Sequence, residues 1–214
     1  MAAESPAGVT TLVYNADGLR VGKETPSESR KFIYDFRKLL QETDGADDPQ
    51  RWYTFTTEEY GDLVSQYDGS DTLYHQYDGL GSTDALLDEW ETATDRYAHR
   101  AFGLEAARSG TTDTPSTYAG RQSYYKDPEL ELYLLGARYY DPQAGRFLSQ
   151  DPLRYQSDDI NLYAYVHNSP VNATDPSGQA EIVYRASGFY MKTTTGVQIR
   201  IGTAEMEQQF FLGI

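Results

Sequence analysis

An aromatic residue followed at once by Asp, Asn or Thr recurs through the first half of the chain: Tyr14-Asn15, Tyr34-Asp35, Tyr53-Thr54, Tyr67-Asp68 and Tyr77-Asp78. The first two steps are 20 and 19 residues, and then the spacing shortens. A degenerate period near 20 points to repeat architecture, in which each unit buries its apolar face only against its neighbours. The unit here reads as a strand, a tight turn and a returning strand. Leu12 and Tyr14 share a face, as do Phe32 and Tyr34, and Tyr53 and Phe55 alternate with threonines. Asp-Gly at 17–18, 68–69 and 78–79 supplies the turns, because both residues tolerate the positive φ that a type I′ hairpin demands. Composition agrees. Tyrosine (19) outnumbers Phe (8), Met (3) and Trp (2) together, and 18 glycines serve turns. Tyrosine favours strands, and when buried it needs a partner for its hydroxyl.

Two segments are ambiguous by local chemistry. Residues 82–90 resemble a capped helix, with Ser82 or Thr83 at the N-cap and acids in the first turn. Residues 29–40 can be drawn as an amphipathic helix, and periodicity alone does not separate the two states in segments this short.

Residues 108–117 are rich in Ser, Thr, Gly, Asp and Pro and read as an exposed loop. The loop divides a repeat region, 1–107, from a denser segment, 118–178, that holds Asp-Pro units at Asp127-Pro128, Asp141-Pro142, Asp151-Pro152 and Asp175-Pro176. Beyond Gly178, residues 182–201 alternate as a hairpin, with Thr194-Thr195-Gly196 as its turn and Val197, Ile199 and Ile201 on one face. The final Phe210-Phe211-Leu212-Gly213-Ile214 is apolar and must either pack or aggregate.

Charge and residue types exclude several functions. With 18 basic against 33 acidic side chains the net charge is −15, which disfavours nucleic-acid phosphates and anionic membranes. The absence of cysteine removes disulfides, thiol nucleophiles and Cys-ligated metals. No apolar run reaches the roughly 18 residues of a membrane span. The N-terminal residues show neither a basic n-region nor an apolar h-region, so export is expected to use a route without a Sec signal, from a cytoplasmic precursor to the exterior or cell surface. His75, His99 and His167 lack metal-ligand spacing. Asp44-Gly45-Ala46-Asp47-Asp48 lacks the spacing of an EF-hand and reads as a solvated turn. No nucleophile elbow or phosphate loop is present, so neither a metal nor a cofactor is expected. Tyrosines at strand positions are read as wall and core residues rather than a sugar-stacking face.

The run Leu135-Gly136-Ala137-Arg138-Tyr139-Tyr140-Asp141-Pro142-Gln143-Ala144-Gly145-Arg146-Phe147-Leu148-Ser149-Gln150-Asp151-Pro152 resembles the core signature of Rhs/YD-repeat proteins. So do Asn161-Leu162-Tyr163-Ala164-Tyr165-Val166-His167-Asn168-Ser169-Pro170-Val171-Asn172 and Asp175-Pro176-Ser177-Gly178, while Tyr77-Asp78-Gly79-Leu80-Gly81-Ser82-Thr83 is similar to that family's last repeat. The resemblance is dense over 118–178 and loose over 14–83. It implies YD-repeat hairpins wound into a spiralling β shell around a C-terminal toxin, and an associated core that frees the toxin by cutting its own chain. The family's two aspartates fall on Asp151 and Asp175, 24 residues apart, and the arginine of its Gly-Arg-Phe element falls on Arg146. The cut is placed after the Asp-Pro-Ser-Gly motif, between Gly178 and Gln179.

Two close carboxylates can share a proton, one activating water while the other donates to the carbonyl oxygen, and the pair then titrates as a unit. Asp-Pro is equally a good turn opener, so Asp151 and Asp175 acting as turn residues alone remains the alternative. Three features depart from the family: Leu153-Arg154 stands where a residue and then Gly usually follow the first Asp-Pro, Gln179 stands where Leu or Met is usual, and only 36 residues follow Gly178.

The expected fold is mainly β. Antiparallel YD-repeat hairpins form a partial spiral or shell, residues 82–90 become strand by the resemblance, and the core segment carries one short helix at 161–166. The tail 179–214 has no assigned role. The expected function is a fragment or reduced form of a toxin-delivery protein. Its partner would be an encapsulated or C-terminal toxin polypeptide, or another part of a longer Rhs shell, with no nucleic acid and no membrane insertion. A non-enzymatic adhesion or assembly module is the second reading.

Overall fold

The computed structural model describes residues 2–5, 8–57, 62–154, 160–179, 182–185, 188–192 and 198–202. Strands β1 (Ala2–Ser5), β2 (Gly8–Tyr14), β3 (Arg20–Glu24), β4 (Ser29–Asp35), β5 (Lys38–Asp44), β6 (Pro49–Phe55), β7 (Leu63–Tyr67), β8 (Thr72–Tyr77), β9 (Thr83–Leu87), β10 (Ala93–His99) and β11 (Glu105–Ser109) form one sheet in strict sequence order. Every neighbouring pair is antiparallel, so the wall is a run of consecutive hairpins. Both helix-ambiguous segments are strand here: 29–40 gives β4 and the start of β5, and 82–90 gives β9.

The recurring Asp or Asn explains the turns. Asn15 Oδ1 accepts the N–H groups of Asp17 (3.0 Å) and Leu19 (2.9 Å). Asp78 Oδ1 does the same for Leu80 and Ser82, both at 2.9 Å, and Asp88 for Trp90 (2.9 Å) and Thr92 (2.8 Å). The side chain thus replaces ladder bonds where the strands end. The type I′ expectation is corrected at all three Asp-Gly sites. In the 15–19 and 78–82 loops one residue takes positive φ, Gly18 at 78° and Gly81 at 92°, while Asp17, Asp78 and Gly79 do not. Register shifts at Val13/Tyr14 and Gln76/Tyr77 absorb the extra residue as bulges. At 68–71 Gly69 alone is positive (98°), which makes the third turn unlike I′ as well.

A second sheet, β12 (Tyr125–Asp127), β13 (Leu132–Leu135), β14 (Arg138–Asp141) and β15 (Arg146–Phe147), packs on the buried face of the wall. Leu12, Phe32, Leu39, Tyr53 and Leu63 of the wall meet Tyr125, Leu134 and Tyr139. Burying each large apolar side chain contributes about 1.5–3 kcal/mol. A deeper cluster gathers Tyr118, Tyr124, Tyr133, Tyr140, Phe147 and Tyr165. Its phenols are satisfied: Tyr118 donates to the Ala101 carbonyl (3.0 Å), Tyr140 to that of Phe102 (2.7 Å), and the Tyr124 and Tyr165 hydroxyls meet at 2.9 Å.

The buried face of the wall also carries charge. Arg20 and Lys23 pair with Asp127, Lys23 reaches Glu129 at 2.9 Å, and Glu42 receives Arg30 (2.8 Å), Arg51 (3.4 Å), Tyr53 and Tyr125 (3.2 Å). These ion pairs join the wall to segments some 60–100 residues later in sequence, by way of Asp127, Glu129 and, through Arg51 at 2.8 Å, Asp113. A charge removed from water this way needs its partner retained.

The short helix expected at 161–166 is not formed. Asn161 Oδ1 instead accepts the Tyr163 N–H (3.1 Å) in a turn. The Leu162 carbonyl accepts the Asp151 N–H and the Tyr163 carbonyl the Phe147 N–H, both at 2.9 Å, so neither is left for a helical bond. A single 3-10 turn follows at Val166–Asn168, with φ of 40°, 49° and 58°. The third sheet comprises β16 (Ala173–Thr174), β17 (Ile182–Arg185), β18 (Gly188–Lys192) and β19 (Gln198–Gly202), all antiparallel. The alternating stretch 182–201 is therefore three strands, and the turn placed at 194–196 lies outside the described residues. No helix among the described residues is long and apolar enough to cross a membrane.

Candidate functional site

Asp151 and Asp175 converge on one side chain, Arg138 of β14. Arg138 Nη2 lies 3.2 Å from Asp151 Oδ2 and 3.4 Å from Asp175 Oδ2. All three are buried, with relative exposures of 4–7%. The guanidinium is stacked on Phe147, its Cζ 3.5 Å from the ring centroid, which fixes the plane of its donors. Nη1 reaches the Leu162 carbonyl at 3.4 Å. Nε donates to the carbonyl oxygen of Gly178.

Each aspartate is positioned by the chain around it. The Asp151 N–H bonds the Leu162 carbonyl, and its Oδ1 accepts the Leu153 N–H at 2.8 Å. Arg154 follows at φ 53°, a left-handed conformation that costs a non-glycine residue about 1–2 kcal/mol. Asp175 donates its N–H to Tyr124 Oη at 2.6 Å. Burial, with the Asp175 charge beside it, holds the Tyr124 phenol well above its ordinary range, so it stays protonated, and its hydroxyl lies 2.9 Å from that of Tyr165. Asp175 Oδ1 accepts Ser177 Oγ and the Gln179 N–H, each at 3.1 Å.

The peptide between Gly178 and Gln179 is thus held at both ends. Its carbonyl faces Arg138, and its N–H faces Asp175. The turn before it lies against the 135–138 backbone, where the Ala137 N–H donates to the Ser177 carbonyl at 3.0 Å. Gly178 sits at φ 67°, and a Cβ there would strike the Leu135 carbonyl oxygen. Glycine is therefore required at this position for both backbone angle and space. Burial draws the Arg138 pKa below its ordinary value, and Asp175 and then Asp151 oppose that shift.

Comparison with known proteins follows this geometry. The tRNA3(Ser)-specific nuclease WapA of Bacillus spizizenii is 33% identical over 187 residues, 84% of this chain and 8% of that protein. Toxin subunit YenC2 of Yersinia entomophaga is 33% identical over 119 residues, 53% of this chain and 12% of that protein. Toxin protein Tse5 of Pseudomonas aeruginosa is 49% identical over 57 residues, 27% of this chain and 4% of that protein. The chain belongs to the family of Rhs-associated toxins that these relatives represent. The TcdB2–TccC3 crystal structure superposes with a TM-score of 0.63 at 23% identity, over 79% of this chain and 9% of that one, and gives the same shell-type β fold. No family model matches. The chain spans about 8% of the length of the WapA relative.

Against this Rhs background, four of the five site residues expected from sequence are brought together: Asp151, Asp175, Gly178 and Gln179. Arg146 is not among them. It is exposed on β15, and because Phe147 points inward beneath Arg138, strand alternation turns Arg146 outward. The arginine that pairs with both aspartates is Arg138. Arg138 and Ser177 lie inside the sequence motifs 135–152 and 175–178 with no role assigned to them there, and Tyr124 lies outside both. The available signal was a cation among aromatic strand residues, in a segment holding two aspartates that need one.

His75 is buried, its Nδ1 is 3.1 Å from Thr83 Oγ1, and burial pushes its pKa down to about 3. His167 is exposed on the left-handed turn. Asp44 Oδ1 caps the Ala46 (2.9 Å) and Asp48 (3.0 Å) N–H groups of its own loop.

Proposed function

We propose that this chain is a piece of an Rhs-type toxin-delivery shell whose core segment hydrolyses its own Gly178–Gln179 peptide. The observation that carries the reading is the double hold on that peptide, with Arg138 at its carbonyl and Asp175 at its N–H. Arg138 withdraws electron density from the Gly178 carbonyl and receives the developing oxyanion. One of the two carboxylates takes a proton from the attacking water, with Asp151 the member left free of the scissile peptide. The C–N bond then breaks as that carboxylate delivers the proton it took to the Gln179 nitrogen, Asp175 keeping its hold on the Gln179 N–H, and the new Gly178 carboxyl gives its own proton to the freed amine. The products are the Gly178 carboxylate and the Gln179 ammonium. Because the substrate is the chain itself, fixed proximity supplies much of the acceleration, about 7–11 kcal/mol in well-oriented systems. The role first given to a shared proton passes in part to the guanidinium that bridges the pair.

In this reading residues 1–107 are wall, 118–178 are the Rhs-associated core, and 179–214 are the released segment. The partner is a toxin polypeptide or a further stretch of shell. Homology to toxin subunit YenC2 and toxin protein Tse5 supports export. The test is a chain tagged at both ends and run on a denaturing gel. A nick in the parent that is absent from Asp151→Asn, Asp175→Asn and Arg138→Lys supports the reading.

One observation favours the second reading, a scaffold without cleavage. Both aspartates also make local turn bonds, Asp151 to Leu153 and Asp175 to Gln179, and Arg154 carries backbone strain where glycine would be relaxed. An intact parent chain supports the scaffold.

A further inference from the structure

The turn that joins β10 to β11, at 100–104, is docked on the core through its backbone. Its Ala101, Phe102 and Gly103 carbonyls each accept a core phenol, from Tyr118 at 3.0 Å, Tyr140 at 2.7 Å and Tyr133 at 3.3 Å. Phe102 packs on the same aromatic cluster. Gly103 lies so close to Tyr118 that a Cβ there would sit 2.5 Å from Cδ1 of the ring.

Two lines of contact run from this turn to the site. The first is a chain of hydroxyls. Tyr118 gives its hydrogen to Ala101, so its oxygen is left to accept from Tyr165, with which it shares a hydrogen bond. Tyr165 Oη lies 2.9 Å from Tyr124 Oη, and Tyr124 accepts the Asp175 N–H at 2.6 Å. One direction alone lets every hydroxyl both accept and donate: Asp175 to Tyr124, Tyr124 to Tyr165, Tyr165 to Tyr118, and Tyr118 to Ala101. The second line is made of rings. Tyr140 lies 4.4 Å from Tyr165 and 5.9 Å from Phe147 between centroids, and Phe147 carries the Arg138 guanidinium. All of these side chains are buried, and close packing passes a displacement on rather than absorbing it.

We infer that the last hairpin of the wall is a positioning element for the core site: its turn, seated on three phenols, sets Asp175 and Arg138 against the Gly178–Gln179 peptide, and cutting waits until that hairpin has paired and docked. The inference rests on the hydrolysis proposed above and adds its regulation. β11 is the final strand of the sequence-ordered sheet, so a chain whose wall is unfinished lacks the three carbonyl acceptors and leaves buried phenols unpaired.

The test follows newly synthesised full-length chain, pulse-labelled and chased, and reads the rate at which the fragment ending at Gly178 accumulates on a denaturing gel. Gly103→Ala forces the turn off Tyr118 and should slow the cut about 100-fold, the penalty of a reacting group displaced by about 1 Å. Gly69→Ala is the control. Gly69 has a similar left-handed backbone, φ 98° against 86° at Gly103, but sits in the β7–β8 turn with open space around it. It should cut at the parental rate. Tyr118→Phe deletes one oxygen and keeps the ring, so it remains informative if Gly103→Ala fails to fold. It should slow the cut up to about tenfold, the scale of one lost hydrogen bond. Parental rates in both Gly103→Ala and Tyr118→Phe overturn the proposal and leave the hydrolysis standing. An uncut parent refutes the hydrolysis instead, and a second measurement then decides the positioning. This is the Arg138 Nε–H resonance in ¹H–¹⁵N NMR spectra of the Asp151→Asn chain, which the proposed mechanism keeps whole. The resonance should move when Gly103→Ala or Tyr118→Phe is added and hold when Gly69→Ala is added. A resonance that holds in all three, or moves equally in all three, overturns the positioning.

Discussion

Replacing Arg138 with Leu removes the single cation between two buried carboxylates while keeping most of the packing on Phe147. Arg138 has 4% side-chain exposure, Asp151 9% and Asp175 5%, so solvent replaces little of the lost charge. Breaking a buried pair by deleting one partner typically costs about 3–5 kcal/mol, because the remaining charge stays desolvated. The Gly178 and Leu162 carbonyls also lose a donor. With an m-value of about 3 kcal/mol/M, the urea midpoint should fall by about 1–2 M. The informative comparison is the same substitution in an Asp151→Asn/Asp175→Asn background. There the neutral amides need no cation, and only the carbonyl bonds and some packing are lost, so the cost should drop to about 1–2 kcal/mol. Urea unfolding followed by tyrosine and tryptophan fluorescence measures both arms. A cost below about 1 kcal/mol in the parent, the range of exposed ion pairs, would refute the burial argument. An equal cost in both backgrounds would refute the role of Arg138 as the shared counter-ion.

Three further outcomes follow from the same structure. Gly178→Ala should lower stability by at least about 1–2 kcal/mol from the left-handed backbone alone and should abolish any cut, read by thermal melt and gel. Glu42→Gln leaves Arg30 and Arg51 without their buried anion and should cost about 3–5 kcal/mol in urea, whereas Asp47→Asn, in an exposed pair with Lys31, should cost under about 1. His75 is held neutral, its pKa moved from 6.5 to about 3 by burial. Its contribution is full above pH 6.5 and is lost as pH falls from 6.5 toward 3, because only the unfolded chain takes up the proton. Between pH 7 and 5 that amounts to about 2 kcal/mol, and His75→Gln should flatten the pH dependence of the melting midpoint by that amount.

The parts of the fold legible in sequence were those set by local chemistry. An Asp or Asn at a strand end accepts N–H groups two to four residues on, after tyrosine at Asn15 and Asp78 and after Thr43 and Leu87 at Asp44 and Asp88, so the aromatic spacing marked part of the meander of hairpins. Turn type could not be read, because loop length decides which residue carries positive φ: in the Asp78-Gly79 loop it is Gly81. The helix expected at 161–166 failed for a non-local reason, since the Leu162 and Tyr163 carbonyls are taken by N–H groups from 147 and 151. Inward charge on the wall, at Arg20, Lys23, Glu42 and Arg51, was equally invisible, because its partners lie far along the chain or on the next strands. At the site, the two aspartates and the glycine were legible through the resemblance. Arg138 in place of Arg146 was not, because the choice rests on the pairing of Tyr140 with Phe147, which sets which side chain faces in.

The central claim is that a buried guanidinium and two aspartates hold the Gly178–Gln179 bond for hydrolysis. Intact-mass spectrometry of the freshly purified full-length chain under denaturing conditions tests it most directly. The account predicts two fragments whose masses sum to the chain plus one water, one ending at Gly178 and the other beginning at Gln179, and a single uncut mass for Asp175→Asn. A single full-length mass for the parent after prolonged incubation, or a break elsewhere such as the acid-labile Asp175–Pro176 bond, contradicts it.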